Sequence, residues 1–106
     1  MKLFYLKIEK NRTAGMTKFL WPEWWSEFYD KVDYLGYEDT GTLGHVKERV
    51  LILADDLTAA QIQAKAGEDY QETTVEDADA FMQEYEGRRL VDRLPKAIAR
   101  QLGLIE

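Results

Sequence analysis

The chain opens on an alternation. From Leu3 to Ile8, Phe4, Leu6 and Ile8 point one way and Leu3, Tyr5 and Lys7 the other. Period two predicts a strand with one strongly apolar face. A change of period follows. Trp21, Trp24, Trp25, Phe28 and Val32 recur at helical spacing, with Tyr29 at their edge and Glu23, Ser26, Glu27, Asp30 and Lys31 opposite. That pattern predicts an amphipathic helix over residues 22 to 32, with Pro22 tolerated in its first turn and an aromatic wedge against the core. Residues 10 to 17, with Asn11 and Gly15, read as the loop between them.

Residues 33 to 38 predict a short strand weakened by Gly36, and the glycines of the next segment a turn. Residues 46 to 54 predict a second strong strand, ending in an apolar run suited to cover on both faces. Thr58, with Gln61 three residues on, reads as the cap of a helix over 58 to 66 that Gly67 stops. Residues 69 to 74 read as a short edge strand whose acids discourage pairing with other edges. Thr74 caps the next helix, 75 to 86, with Glu76 and Asp77 favourably placed in its first turn. A last helix is expected over 95 to 102. It continues a stripe of Leu90, Leu94, Ile98 and Leu102 if it starts earlier and bends at Pro95.

This order predicts one α+β domain spanning 1–106: a ferredoxin-like, split βαβ antiparallel sheet with two additional C-terminal helices. Helices would lie on one face of the sheet, and the two C-terminal helices would extend that layer or cover the other face.

Composition narrows the function classes. With 45% hydrophobic and 32% charged residues the chain should form a globular domain. It has no cysteine, which excludes disulfides and thiolate metal sites. The charges interleaved in its first ten residues fit neither a signal peptide nor a membrane span, so the expected compartment is the cytoplasm. A net charge of −6 argues against a general nucleic-acid binder. Charge is segregated all the same. Residues 67 to 87 hold eight acids and no base, and Arg88, Arg89, Arg93, Lys96 and Arg100 follow against Asp92 alone.

Candidate chemistry is sparse. Asp39-Thr40-Gly41 resembles the active-site triplet of retroviral-type aspartic proteases. That resemblance would imply a dimer sharing one proton between two carboxylates. Tyr37 and Glu38 stand where those enzymes carry apolar residues, and the second half of this chain is helical, so the triplet reads as a turn. Asp55 and Asp56 follow the strong strand, where acids can hold Mg²⁺, but adjacent residues on extended chain point apart. Asp56 is expected to help start the next helix. His45, the only histidine, stands without a Ser or Asp spacing that would mark a nucleophilic site.

The leading expectation is a non-enzymatic, acidic module that binds another protein, of the kind found among accessory and inhibitor proteins of phages and other mobile elements. Homo-oligomerisation is part of that expectation, and no cofactor, metal or membrane is. Its contacts would be Trp21, Trp24 and Trp25 as aromatic anchors and Glu76, Asp79 and Glu84 on the acidic helix face. One alternative is a small metal- or ligand-dependent enzyme using Asp39, Asp55, Asp56 or His45 in a cleft. A second is contact with nucleic acid through Arg89, Arg93, Lys96 and Arg100. On one helical face these four would form a phosphate or acidic-partner site.

Overall fold

The computed structural model describes residues 1–106. Five strands form one curled, antiparallel sheet: β1 Lys2–Thr13, β2 Met16–Leu20, β3 Asp33–Tyr37, β4 Gly44–Ala54 and β5 Tyr70–Glu72. Four helices accompany it: α1 Asp56–Ala66, α2 Val75–Tyr85, α3 Leu90–Arg93 and α4 Lys96–Gln101. No helix is long and apolar enough to cross a membrane.

β1 is the spine. One edge pairs with β4 from Lys2 to Arg12. The other is shared, with β5 on Phe4 to Leu6 and β2 on Glu9 to Thr13. Residues 10 to 13, expected in a loop, continue the strand, and the turn is confined to Ala14-Gly15. Gly15 takes a φ of 91°, which a side chain would resist, and the chain returns as β2. The polar composition that suggested a loop marks a hairpin reaching past the covered sheet.

The sheet's two faces carry separate cores. Phe4, Leu6, Ile8, Val50, Ile52 and Ala54 pack under α1 and the aromatic segment. Leu3, Tyr5, Leu35, Leu51 and Leu53 pack under α2, α3 and α4. The run Val50–Ala54 therefore supplies both cores at once, as a strand covered on both sides must. Of the two sequence-level alternatives, the C-terminal helices cover the opposite face.

The aromatic helix expected over 22 to 32 is not there. The segment is a five-residue 3-10 turn, Glu23–Glu27, preceded by Pro22 in extended conformation and followed by bends up to β3. Trp25 N–H donates to Pro22 O at 3.0 Å and Phe28 N–H to Trp25 O at 2.9 Å. A 3-10 turn stacks residues three apart on one side. Trp25 and Phe28, three apart, are both buried, while Trp21 and Trp24, also three apart, are both half-buried. The turn puts Trp25 and Phe28 inward and leaves Trp24 half-buried, while Trp21 precedes the turn and is placed by its stacking on Trp25.

Other boundaries also shift. Thr58 does not cap α1; Asp55 does, accepting Thr58 N–H at 2.7 Å, and Thr58 is buried inside the helix. Thr74 caps α2 as its position suggests, accepting Asp77 N–H at 3.1 Å. The C-terminal stripe does not ride on one bent helix. Leu94 is extended, with φ −105° and ψ 146°, and separates two short helices. Proline at 95 disfavours helical backbone at the residue before it, which is where α3 stops.

Two contacts tie α2 to the sheet. The Arg49 guanidinium lies over the rings of Tyr5 (4.6 Å) and Phe81 (5.2 Å) and bonds Glu38 at 2.8 and 3.2 Å. Burial alone would push the Glu38 carboxyl up, but the Arg49 hydrogen bonds outweigh it and hold it below the usual carboxylate range. The second contact is at Gly36, beside a bulge in β3. A Cβ there would come within 2.9 Å of Met82 Sδ and of Glu86 Cγ. Gly36→Ala is therefore expected to destabilise the fold by about 1–3 kcal/mol, read as a lower urea midpoint at unchanged slope.

Candidate protein-binding surface

The curl of the sheet brings its two outer strands within reach of each other. Phe19 of β2 meets Tyr37 of β3 at 5.0 Å between ring centroids, and Trp21 meets Tyr34 at 5.7 Å. Trp25 fills the space between: it stacks on Trp21 at 4.9 Å with planes 16° apart and meets Trp24 edge-on at 5.8 Å. Its Nε1–H donates to Tyr34 Oη at 2.9 Å, and the Tyr34 hydroxyl donates to Tyr29 O at 3.0 Å. The buried indole of Trp25 and the phenol of Tyr34 are thereby both partnered, as burial requires.

Three tryptophans proposed as anchors thus divide. Trp25 is 4% exposed and belongs to the core. Trp21 and Trp24 present partly open rings on the outer side of the turn. Trp21 walls a notch of about 430 Å³ with Leu20, Pro22 and Ile8, rimmed by Lys7 and Glu23. The notch lies where β1 passes from β5 to β2, which leaves Lys7 and Ile8 without a neighbouring strand on that edge. Tyr29, at the end of the turn, is 58% exposed.

The acidic candidates also divide. Asp79 is tied into the fold: it accepts Leu90 N–H at 2.8 Å and Arg89 Nε–H at 2.9 Å. Those bonds, from Arg89 first and the Leu90 amide next, hold its carboxyl below the usual range. Its role is to start α3. Glu76 and Glu84 are exposed and take part in no ion pair.

The basic row does not assemble on one face, because α3 and α4 are separate helices. Arg89 pairs with Asp79, Arg93 Nη2 donates to Tyr34 O at 2.9 Å, and Arg100 Nε donates to Glu106 O at 3.3 Å. Lys96 is exposed at the start of α4.

The acids considered for a cleft have local partners, and the histidine stands apart from them. Asp39 accepts Gly41 N–H at 3.0 Å and pairs with Arg12, which makes the triplet a closed turn. Asp55 caps α1, and Asp56 lies 3.0 Å from the amino group of Met1. His45 is exposed opposite Asn11 in the ladder.

What sequence reasoning missed is an ion pair. Lys10 and Glu48, on neighbouring strands, have side chains only 4% and 5% exposed, with Nζ 3.3 Å from Oε1. Lys10 Nζ also donates to Glu38 O at 2.6 Å and lies 5.6 Å from the centre of the Phe19 ring. The signal was available in the register. With residues 10 to 13 read as strand, Lys10 follows Phe4, Leu6 and Ile8 on the inward face.

No family model, curated protein or solved structure matches the chain.

Proposed function

We propose that this protein is a non-enzymatic module that grips another protein through Trp21 and Trp24. The observation that supports this most is their mounting. Two half-open indoles stand on the outer side of a turn whose inner side, Trp25 and Phe28, is locked in the core. Rings braced in this way lose little freedom on contact, and tryptophan is the commonest energetic anchor of protein interfaces. Glu76 and Glu84 are exposed and unpaired on α2, across the sheet from the indoles, and form no part of this grip. The setting we propose is that of a small accessory or inhibitor protein of a phage or other mobile element. We further read the core as a modified split βαβ unit. The strand order β5-β1-β4-β3 supports it, with the first helix of the unit reduced to the 3-10 turn.

Retention of a partner by the immobilised protein, from a nuclease-treated extract of the organism that carries the gene, tests the reading. Trp21→Ala with Trp24→Ala is expected to lower retention at least about tenfold, because each anchor contributes about 2 kcal/mol or more. Retention that survives this change would overturn the assignment of the two indoles.

A further inference from the structure

The sheet has three outer edges, and they are treated differently. Ladder geometry says which groups face out, because opposed residues in an antiparallel pair alternate between bonded and non-bonded pairs. Thr73 N–H bonds Leu3 O, so the odd-numbered residues of β1 direct their backbone groups toward β5 and β2. Glu38 N–H bonds Arg49 O, which sets the matching alternation on β4 and agrees with it. On β3, Tyr34 then faces outward, and Arg93 caps its carbonyl at 2.9 Å. The outer strand β5 has only three residues and ends in Glu72. Both are recognised ways of blunting an edge.

β2 has no cap on its outward backbone groups; its one guard is Lys18, which opposes a like-charged strand and admits one that brings an acid. Its even-numbered residues bond the odd-numbered residues of β1, which leaves the N–H and C=O of Thr17 and Phe19 pointing away from the sheet. No other strand pairs with this edge. Beside these groups, on the Leu3–Tyr5 side of the sheet but beyond the end of α2, stand Met16 (67% exposed), Lys18 and the half-buried Leu20. Lys18 makes no ion pair. The same stretch carries Lys7, which makes no ion pair, beside Glu9, while Lys47 is paired with Asp69 at 3.0 Å.

A second copy of this chain is the wrong occupant. A symmetric antiparallel pair that engages both Thr17 and Phe19 must set Thr17 against the other copy's Phe19. That register places Lys18 directly against Lys18 of the other copy, and like charges directly opposed are destabilising. We infer that β2 receives an extended segment of another protein as an added antiparallel strand, with an acidic residue opposite Lys18 and apolar residues beside Met16 and Leu20. Backbone bonds to Thr17 and Phe19 hold the segment, and the acid sets its register. The inference rests on the reading that this chain binds protein but uses a different surface from the indoles, so each can fail alone.

The test uses a capped heptapeptide, Thr-Val-Thr-Glu-Thr-Val-Thr, titrated into the full chain and followed by amide shifts and hydrogen exchange. Shifts and protection are expected at Thr17 and Phe19. The same peptide with lysine at its centre should bind about two- to tenfold more weakly, and Lys18→Glu should reverse that preference. Thr17→Pro removes an outward donor without touching the β1 ladder, and should abolish binding while the Trp21 and Trp24 signals stay in place. Trp21→Ala with Trp24→Ala should leave the peptide's effect on Thr17 and Phe19 intact. Absence of binding, indifference to the central charge, or protection of Thr17 that grows with protein concentration alone would each overturn the inference.

Discussion

Lys10→Met is expected to cost about 3–5 kcal/mol of folding stability, a large share of the roughly 5–15 kcal/mol that holds a domain of this size together. The methionine keeps the stem that packs beneath Phe19. What it removes is the charge facing Glu48, whose side chain is 5% exposed. Glu48 Oε2 accepts Thr40 N–H at 3.0 Å, but Oε1 has no directed hydrogen bond and faces only the lysine. Without it a buried carboxylate is left uncompensated. Removing both charges is a different matter, because the desolvation of two ions no longer has to be offset. Lys10→Met with Glu48→Leu should therefore recover much of the loss, falling short of the parent by what Glu38 O and Thr40 N–H lose with their partners, about 1–3 kcal/mol. Urea unfolding of the four proteins in this cycle measures the coupling. A single-variant cost under about 1 kcal/mol would mean that water reaches the pair and that the seam above it is open.

The second large effect belongs to Trp25. Trp25→Ala should destabilise by about 3–5 kcal/mol, through lost burial and a cavity beside the sheet. The change also leaves the Tyr34 hydroxyl without the donor that the indole supplies at 2.9 Å. Trp21→Ala, by contrast, removes a ring already half in water, and should cost on the order of 1–2 kcal/mol. The inequality matters more than either value. If Trp21→Ala proves the costlier change, the rim is core, and the proposed grip on a partner loses its anchors. Acrylamide quenching of the three single-tryptophan proteins reads the same order from the fluorescence side.

How much of this could be read from the residues alone differs from element to element. β4 and α2 were legible, because each has a strong periodic pattern bounded by its own turn and cap residues. β3 and β5 were weaker signals that the sheet realised, since a pairing partner stabilises short strands that have little intrinsic preference. The aromatic segment misled. The positions of its rings fit 3.6 residues per turn almost as well as 3.0, and only Pro22 hinted at the tighter turn. The loop expected over residues 10 to 17 misled for the opposite reason. Polar residues are normal on a hairpin that extends beyond its helices.

The sequence alone determined the elements with redundant local signals: the alternating core strand, the helix that begins at Thr74, the stop at Gly67, and the absence of cysteine chemistry. Tertiary structure decided what depends on two distant segments meeting. It buried Lys10 against Glu48, turned Trp25 inward and Trp21 outward, and capped one sheet edge with Arg93 while leaving β2 bare. It also scattered the basic row over two short helices. The physical reason is that burial and pairing belong to pairs of residues far apart in the chain. Local spacing fixes which face a side chain occupies, but only the assembled sheet and its cover determine whether that face meets water, protein or a charge.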